Sequence, residues 1–117
     1  MTQQEMKART KLFAKRIMKL CQSLPDDLAG RRICDQLFRA GTSVGANYRS
    51  ACRSRSKADF ISKLGIVLEE ADESLYWMEI VAETKQISPS LLNPLLKEAN
   101  EIVAIIVASI HTSRASK

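Results

Sequence analysis

A chain of 117 residues, 45% apolar and 26% charged, has room for one globular domain with a genuine core and too little length for two. Four glycines and three prolines leave little material for a turn-rich β architecture, and the dominance of Ala, Leu, Lys, Arg and Glu favours helices. A formal net charge of +5 points toward polyanionic partners, although a solvated basic surface produces the same total.

Four amphipathic segments follow one another along the chain. The first spans residues 3–23, with Met6, Phe13, Ile17, Leu20 and Leu24 at helical spacing. Pro25 stops it, and Asp26 or Asp27 is placed to cap the next segment. The second covers residues 27–52 and ends at Ser54-Arg55. Ser56-Lys57-Ala58-Asp59 then resembles a capping box with Asp in the acidic position, starting a third helix over 57–85. Its inner face reads Phe60, Leu64, Val67, Leu68, Ala71, Leu75, Met78 and Ala82. Ile87-Ser88-Pro89 breaks it. Ser88 or Ser90 caps a fourth helix over 90–112, faced by Leu92, Leu95, Leu96, Ala99, Val103, Ile106 and Ile110, and residues 113–117 are expected to fray. Short connections between four helices predict an all-α, antiparallel up-down-up-down bundle forming a single domain over 1–117.

The second segment carries the strongest functional signal. At about 100° per residue, Arg31, Arg32, Arg39, Arg49 and Arg53 fall within one arc of roughly 100°. Ile33, Leu37, Ala40, Val44, Tyr48 and Ala51 lie opposite. Guanidinium groups are fixed charges with several donors suited to phosphate and carboxylate. Three uses are open for such a row: a solvated face, ion pairs between subunits, or phosphate contacts with RNA or DNA. Only Asp35 interrupts the arginines, and Arg55, Lys57 and Lys63 extend the positive area, which favours phosphate. Few aromatics accompany these charges, so binding through the backbone, strongly salt-dependent and weakly sequence-specific, is the expectation. Arg32, Arg39, Arg49, Arg53, Arg55 and Lys57 are the candidate contacts.

Within the same helix, Gly41 and Gly45 each cost about 1 kcal/mol relative to Ala. Close approach of a neighbouring helix or a local bend would offset this, and Thr42 and Ser43 between them suggest local distortion. Asn47, at the edge of the apolar face, reads first as a hydrogen-bonded clip between helices.

The third segment turns a second apolar patch, Ile66, Trp77 and Ile80, away from the core, beside Glu70 and Glu73. Apolar patches rimmed by charge tend to mark protein contacts, and residues 102–108 of the fourth segment are apolar nearly all round, so self-association is expected. Glu69 and Glu73 are spaced for a two-ligand metal site, but the sole histidine, His111, lies near the chain end, so salt bridges to a neighbour's arginines are the better reading. No nucleophile motif, glycine-rich phosphate loop or placed histidine suggests catalysis, and no cofactor is expected. Cys21, Cys34 and Cys52 lack CxxC spacing and read as small core residues in a reducing compartment. Without a leader-like N-terminus or a membrane-length apolar run, a soluble cytoplasmic protein is expected.

Residues 37–48, LFRAGTSVGANY, followed by Arg53, RSKADF at 55–60, Leu64 and the stretch 69–75, resemble a bacterial four-helix-bundle family named for reading frames within intervening sequences of 23S rRNA genes. The resemblance extends from residue 7 to about 85 and, more distantly, to the accessory variability determinant of diversity-generating retroelements. It implies a compact, barrel-like homopentamer and does not imply a ribosomal protein. The retroelement proteins bind nucleic acid and a reverse transcriptase. Where many members carry an acid and glycines after the Asn, this chain has Arg49, Ser50, Ala51, Cys52 and Arg53, which makes the helix end more basic and less turn-prone. The combined expectation is a non-catalytic, self-associating accessory protein that binds RNA or DNA phosphate. The alternative is a scaffold whose arginines pair with Glu69, Glu70 and Glu73 of a neighbouring subunit and which docks another, acidic, protein.

Overall fold

The computed structural model describes residues 1–116. Four helices fill it: α1 (Gln3–Gln22), α2 (Leu28–Cys52), α3 (Lys57–Glu83) and α4 (Pro89–Ala115). Consecutive helices pack on one another, and α4 returns to α1 along a lighter seam. The result is an up-down rod of 50 × 21 × 20 Å.

Local chemistry sets the boundaries. Thr2 Oγ1 accepts the Glu5 amide at 3.0 Å, Asp27 Oδ1 accepts that of Gly30 at 2.8 Å, and Ser56 Oγ accepts that of Asp59 at 3.1 Å. Each satisfies an amide that the first helical turn would otherwise leave free. α4 differs: Pro89 occupies its first turn, and Ser88 makes no side-chain cap, its hydroxyl lying 3.3 Å from that of Ser90. α3 ends two residues before the expected position. Lys85 adopts φ 56°, and the amides of Lys85 and Gln86 return to the Ala82 and Val81 carbonyls at 3.2 and 3.1 Å. This is a Schellman closure, with lysine where glycine is usual. α4 runs three residues past its expected end, to Ala115, with Ser113 partly covered.

The core forms around Phe13 and Ile17 of α1, Leu37 and Val44 of α2, Leu64 and Met78 of α3, and Ile102 and Ile106 of α4, all essentially inaccessible. Burying each such side chain contributes about 1.5–3 kcal/mol. Two positions depart from the sequence pattern. Val81, not Ala82, turns inward on α3, and Ile102 is buried on α4 while Val103 is only partly covered. Long helices drift relative to a fixed 100° step as they pack, so inward register slips toward their ends.

The middle of α2 is an unbroken helix, contrary to the distortion expected at residues 41–45. The Thr42 and Ser43 hydroxyls donate to the Phe38 and Arg39 carbonyls at 2.8 and 2.7 Å, bonds that lie along the helix and leave its ladder intact. The glycines serve close packing. A Cβ on Gly41 would stand 2.7 Å from the Ile17 side chain, and one on Gly45 would stand 3.2 Å from the Thr10 backbone. Asn47 clips its own helix, donating to the Ser43 carbonyl at 2.8 Å, rather than bridging to a neighbour.

Candidate nucleic-acid interface

The arginines of α2 meet different neighbours and acquire different roles. Arg39 leans toward α3, where it pairs with Glu70 at 3.2 Å and with Glu73. The Trp77 indole N–H donates to the same Glu73 at 3.3 Å, and Tyr76 stacks edge-on against Trp77 with ring centroids 5.2 Å apart. The ion pairs expected between subunits are therefore formed by Glu70 and Glu73 inside one chain. Trp77 and Ile80, expected on the surface, are partly buried against the core, while Ile66 stays exposed. Arg31 pairs with Asp26 at 3.0 Å in the open.

Arg49 and Arg53 turn the other way, toward α1. With Gln4, Lys7, Ala8 and Lys11 they line a groove of about 400 Å³. Lys7, Lys11 and Arg49 continue into a smaller recess floored by Ala14, Gly45 and Ala46. None of these four cations has a carboxylate partner among the described residues. The floor is small because the two backbones come together at Gly45, so an incoming chain can lie close to the helices while the cations reach it from both walls. Arg32, Arg55 and Lys57 are exposed and lie outside this groove.

The lysines on α1 carry a signal that attention to arginine overlooked. Lys7, Lys11, Lys15 and Lys19 recur every fourth residue, and Glu5 in the first turn is the only carboxylate on that helix. Like charges at this spacing destabilise a helix by about 0.2–0.5 kcal/mol per pair, so the row weakly opposes the helix that carries it. Its last member, Lys19, joins Arg16 in a second groove on the other flank of α1, with Leu20, Leu91 and Leu95. Arg9 is the exception on α1. It grips Glu98 of α4 with bonds of 2.7 and 2.8 Å, and that contact raises its already high pKa against the opposing effect of burial. Its charge is committed to closing the α1–α4 seam.

Two buried groups, Cys21 and Tyr48, are pushed toward their neutral forms. Burial, reinforced by Cys34, pushes the Cys21 thiol to about 12. Burial also raises the Tyr48 phenol above its ordinary value, with Cys52 adding to the effect. All three cysteines are free. Among the described residues no group of three or more His, Cys, Asp or Glu side chains is placed to hold a metal ion, and no helix is long and apolar enough to cross a membrane.

The family model of the 23S rRNA-intervening sequence protein matches residues 2–108. The chain belongs to that family. The match reaches beyond the 7–85 stretch in which the sequence motifs lie and takes in both walls of the basic groove. A crystal structure of a protein of unknown function from the S23 ribosomal protein family of Bacteroides thetaiotaomicron superposes with a TM-score of 0.87 at 34% identity, covering 95% of this chain and 99% of that one. No curated protein is significantly similar. Family membership thus fixes the all-helical fold, and the chemistry of the surface carries the functional reading.

Proposed function

We propose that this protein acts without catalysis in the cytoplasm, as an accessory factor that binds the phosphate backbone of RNA or DNA along its α1–α2 face. The observation that carries the reading is the groove in which Lys7, Lys11, Arg49 and Arg53 converge with no carboxylate among the described residues to neutralise them. Phosphate contacts of this kind supply affinity without sequence readout. Arg32, Arg55 and Lys57 would contribute at longer range, and Arg39 least, since its charge is already met by Glu70 and Glu73.

The decisive measurement is electrophoretic mobility of labelled RNA and DNA with the protein at low and at moderate salt. A shift at low salt that weakens steeply as salt rises supports the reading, with a slope of about −0.7 to −0.9 per phosphate contact. No shift at low salt, or a slope near zero against the logarithm of salt, overturns it.

A second reading, self-association as a homo-oligomer of pentameric size, is favoured by Ile66 and Tyr76, which are 42% and 56% exposed on α3, and by the family resemblance. Sedimentation of the wild-type protein beside Ile66→Asp tests it. A monomer in both removes the oligomer from the proposal.

A further inference from the structure

We infer that the α1 surface is built for single-stranded nucleic acid, wound diagonally across the helix, rather than for the side of a duplex. This rests on the phosphate-binding reading and narrows it. Successive lysines four residues apart advance about 6 Å along the helix and rotate about 40° around it. From Lys7 to Lys19 the row therefore climbs about 18 Å while sweeping about 120° of the circumference. The grooves mark its two ends. Lys7 and Lys11 share one with Arg49 and Arg53 on the α2 side, and Lys19 shares the other with Arg16 on the α4 side. Lys11, Lys15 and Lys19 are exposed along the path.

A duplex is stiff, with a persistence length of about 50 nm, and touches a convex cylinder about 10–12 Å across only along a short tangent. It would reach the Lys7 end or the Lys19 end, not both. A single strand bends at every nucleotide and can follow the row. With the sweep added, the diagonal is about 21 Å, which accommodates about six phosphates at the roughly 3.4 Å spacing of a helical strand and fewer where the strand is unstacked and extended.

The groove at the Lys19 end supplies an independent reason. Leu91 is 61% exposed there, above a floor of Leu20 and Leu95, beside Arg16 and Lys19. Paired cation and exposed leucine suit a phosphate joined to an unstacked base, whose apolar face is covered only when it has left a stack. A duplex keeps its base faces inside and offers nothing to that leucine. Both RNA and DNA strands carry this chemistry, and the experiment separates them.

The test is fluorescence anisotropy of the full-length protein with labelled oligouridylate and oligothymidylate of four, six, eight and twelve nucleotides, and with twelve-base-pair RNA and DNA duplexes, all at one low salt concentration. Affinity should rise about tenfold from four to eight nucleotides and then level off, within the range of single-strand site sizes known for small domains. Duplexes should bind about tenfold more weakly than twelve-nucleotide strands. The exposed-site double variant Lys15→Glu/Lys19→Glu should lose about tenfold on the eight-nucleotide strand and little on the four-nucleotide strand, and Leu91→Ser should weaken the eight- and twelve-nucleotide strands but not the four-nucleotide one. Duplexes binding as tightly as strands, an affinity independent of length, or an unaffected double variant would each overturn the inference while leaving the phosphate reading standing. Binding of no nucleic acid, together with binding to phosphatidylglycerol vesicles, would overturn both and assign the surface to anionic lipid.

Discussion

The two flanks of α2 show how one helix distributes like charges to opposite ends. On the α3 flank, Arg39 finds Glu70 and Glu73, and the latter also holds the Trp77 indole. On the α1 flank, Arg49 and Arg53 find Lys7 and Lys11. The residue type is the same, and what differs is the sign of the facing helix. A guanidinium opposite carboxylates becomes part of the seam, and a guanidinium opposite ammonium groups remains available to a partner. Net charge therefore says less about function than the places where charge goes unanswered.

That contrast can be broken by exchanging the flanks. Arg49→Glu/Arg53→Glu should lower affinity for a nucleic acid strand about 100-fold, equivalent to about 2.7 kcal/mol, and reduce the salt slope by about two contacts. Arg39→Gln should leave affinity within about twofold and lower stability by less than about 1 kcal/mol, since the pair is partly exposed. Equal losses in the two variants, measured by anisotropy and urea unfolding, would erase the distinction.

The closeness of α1 and α2 predicts the next effect. Gly41→Leu drives a side chain into Ile17 and should cost about 2 kcal/mol in urea unfolding, in the range of core overpacking.

A pH effect of smaller size belongs to the same seam. The Cys21 thiol is raised from its ordinary 9.0 to about 12 in the folded protein. The folded state keeps a proton that the unfolded chain releases, so this contribution is full below pH 9 and is lost as pH rises toward 12. Between about pH 7 and about pH 10.5 the wild type should lose about 1–2 kcal/mol more than Cys21→Ala does. Parallel losses in the two proteins would count against it.

The smallest expected effect lies at the end of α3. Lys85→Gly should raise stability by about 0.5–1 kcal/mol, because glycine takes the left-handed closure at φ 56° without the Cβ clash. An unchanged or lowered unfolding midpoint would contradict that account.

Helix number and order were legible in the sequence, and so were the starts of α2 and α3, because they depend on local chemistry: Ser56 caps α3, and Asp27, one of the two adjacent aspartates the sequence offers, caps α2, whereas Ser88 makes no side-chain cap at α4. The close helix contact at Gly41 and Gly45 was legible for the same reason, since two glycines inside a helix require an explanation. The fate of each arginine was not. Arg39 and Arg49 lie on the same arc of α2, and only the packing of α1 and α3 decides which of them meets a carboxylate. Trp77 misled in a different way: its bond to Glu73 is an i, i+4 contact that helical spacing permits, but the partial burial of its indole depends on how α3 packs, which the spacing does not give. The α1 lysines were visible throughout as a four-residue repeat. Their proposed role rests on the structure, which places the first two beside Arg49.

The Gly45–Thr10 approach also bears on how this surface can evolve. With the backbones already at contact, the distance between the cationic walls works as a fixed gauge that side-chain exchange cannot narrow. Descendants of this chain could retune grip by swapping lysine for arginine along the rim, but a partner of different width would require a new angle between the two helices.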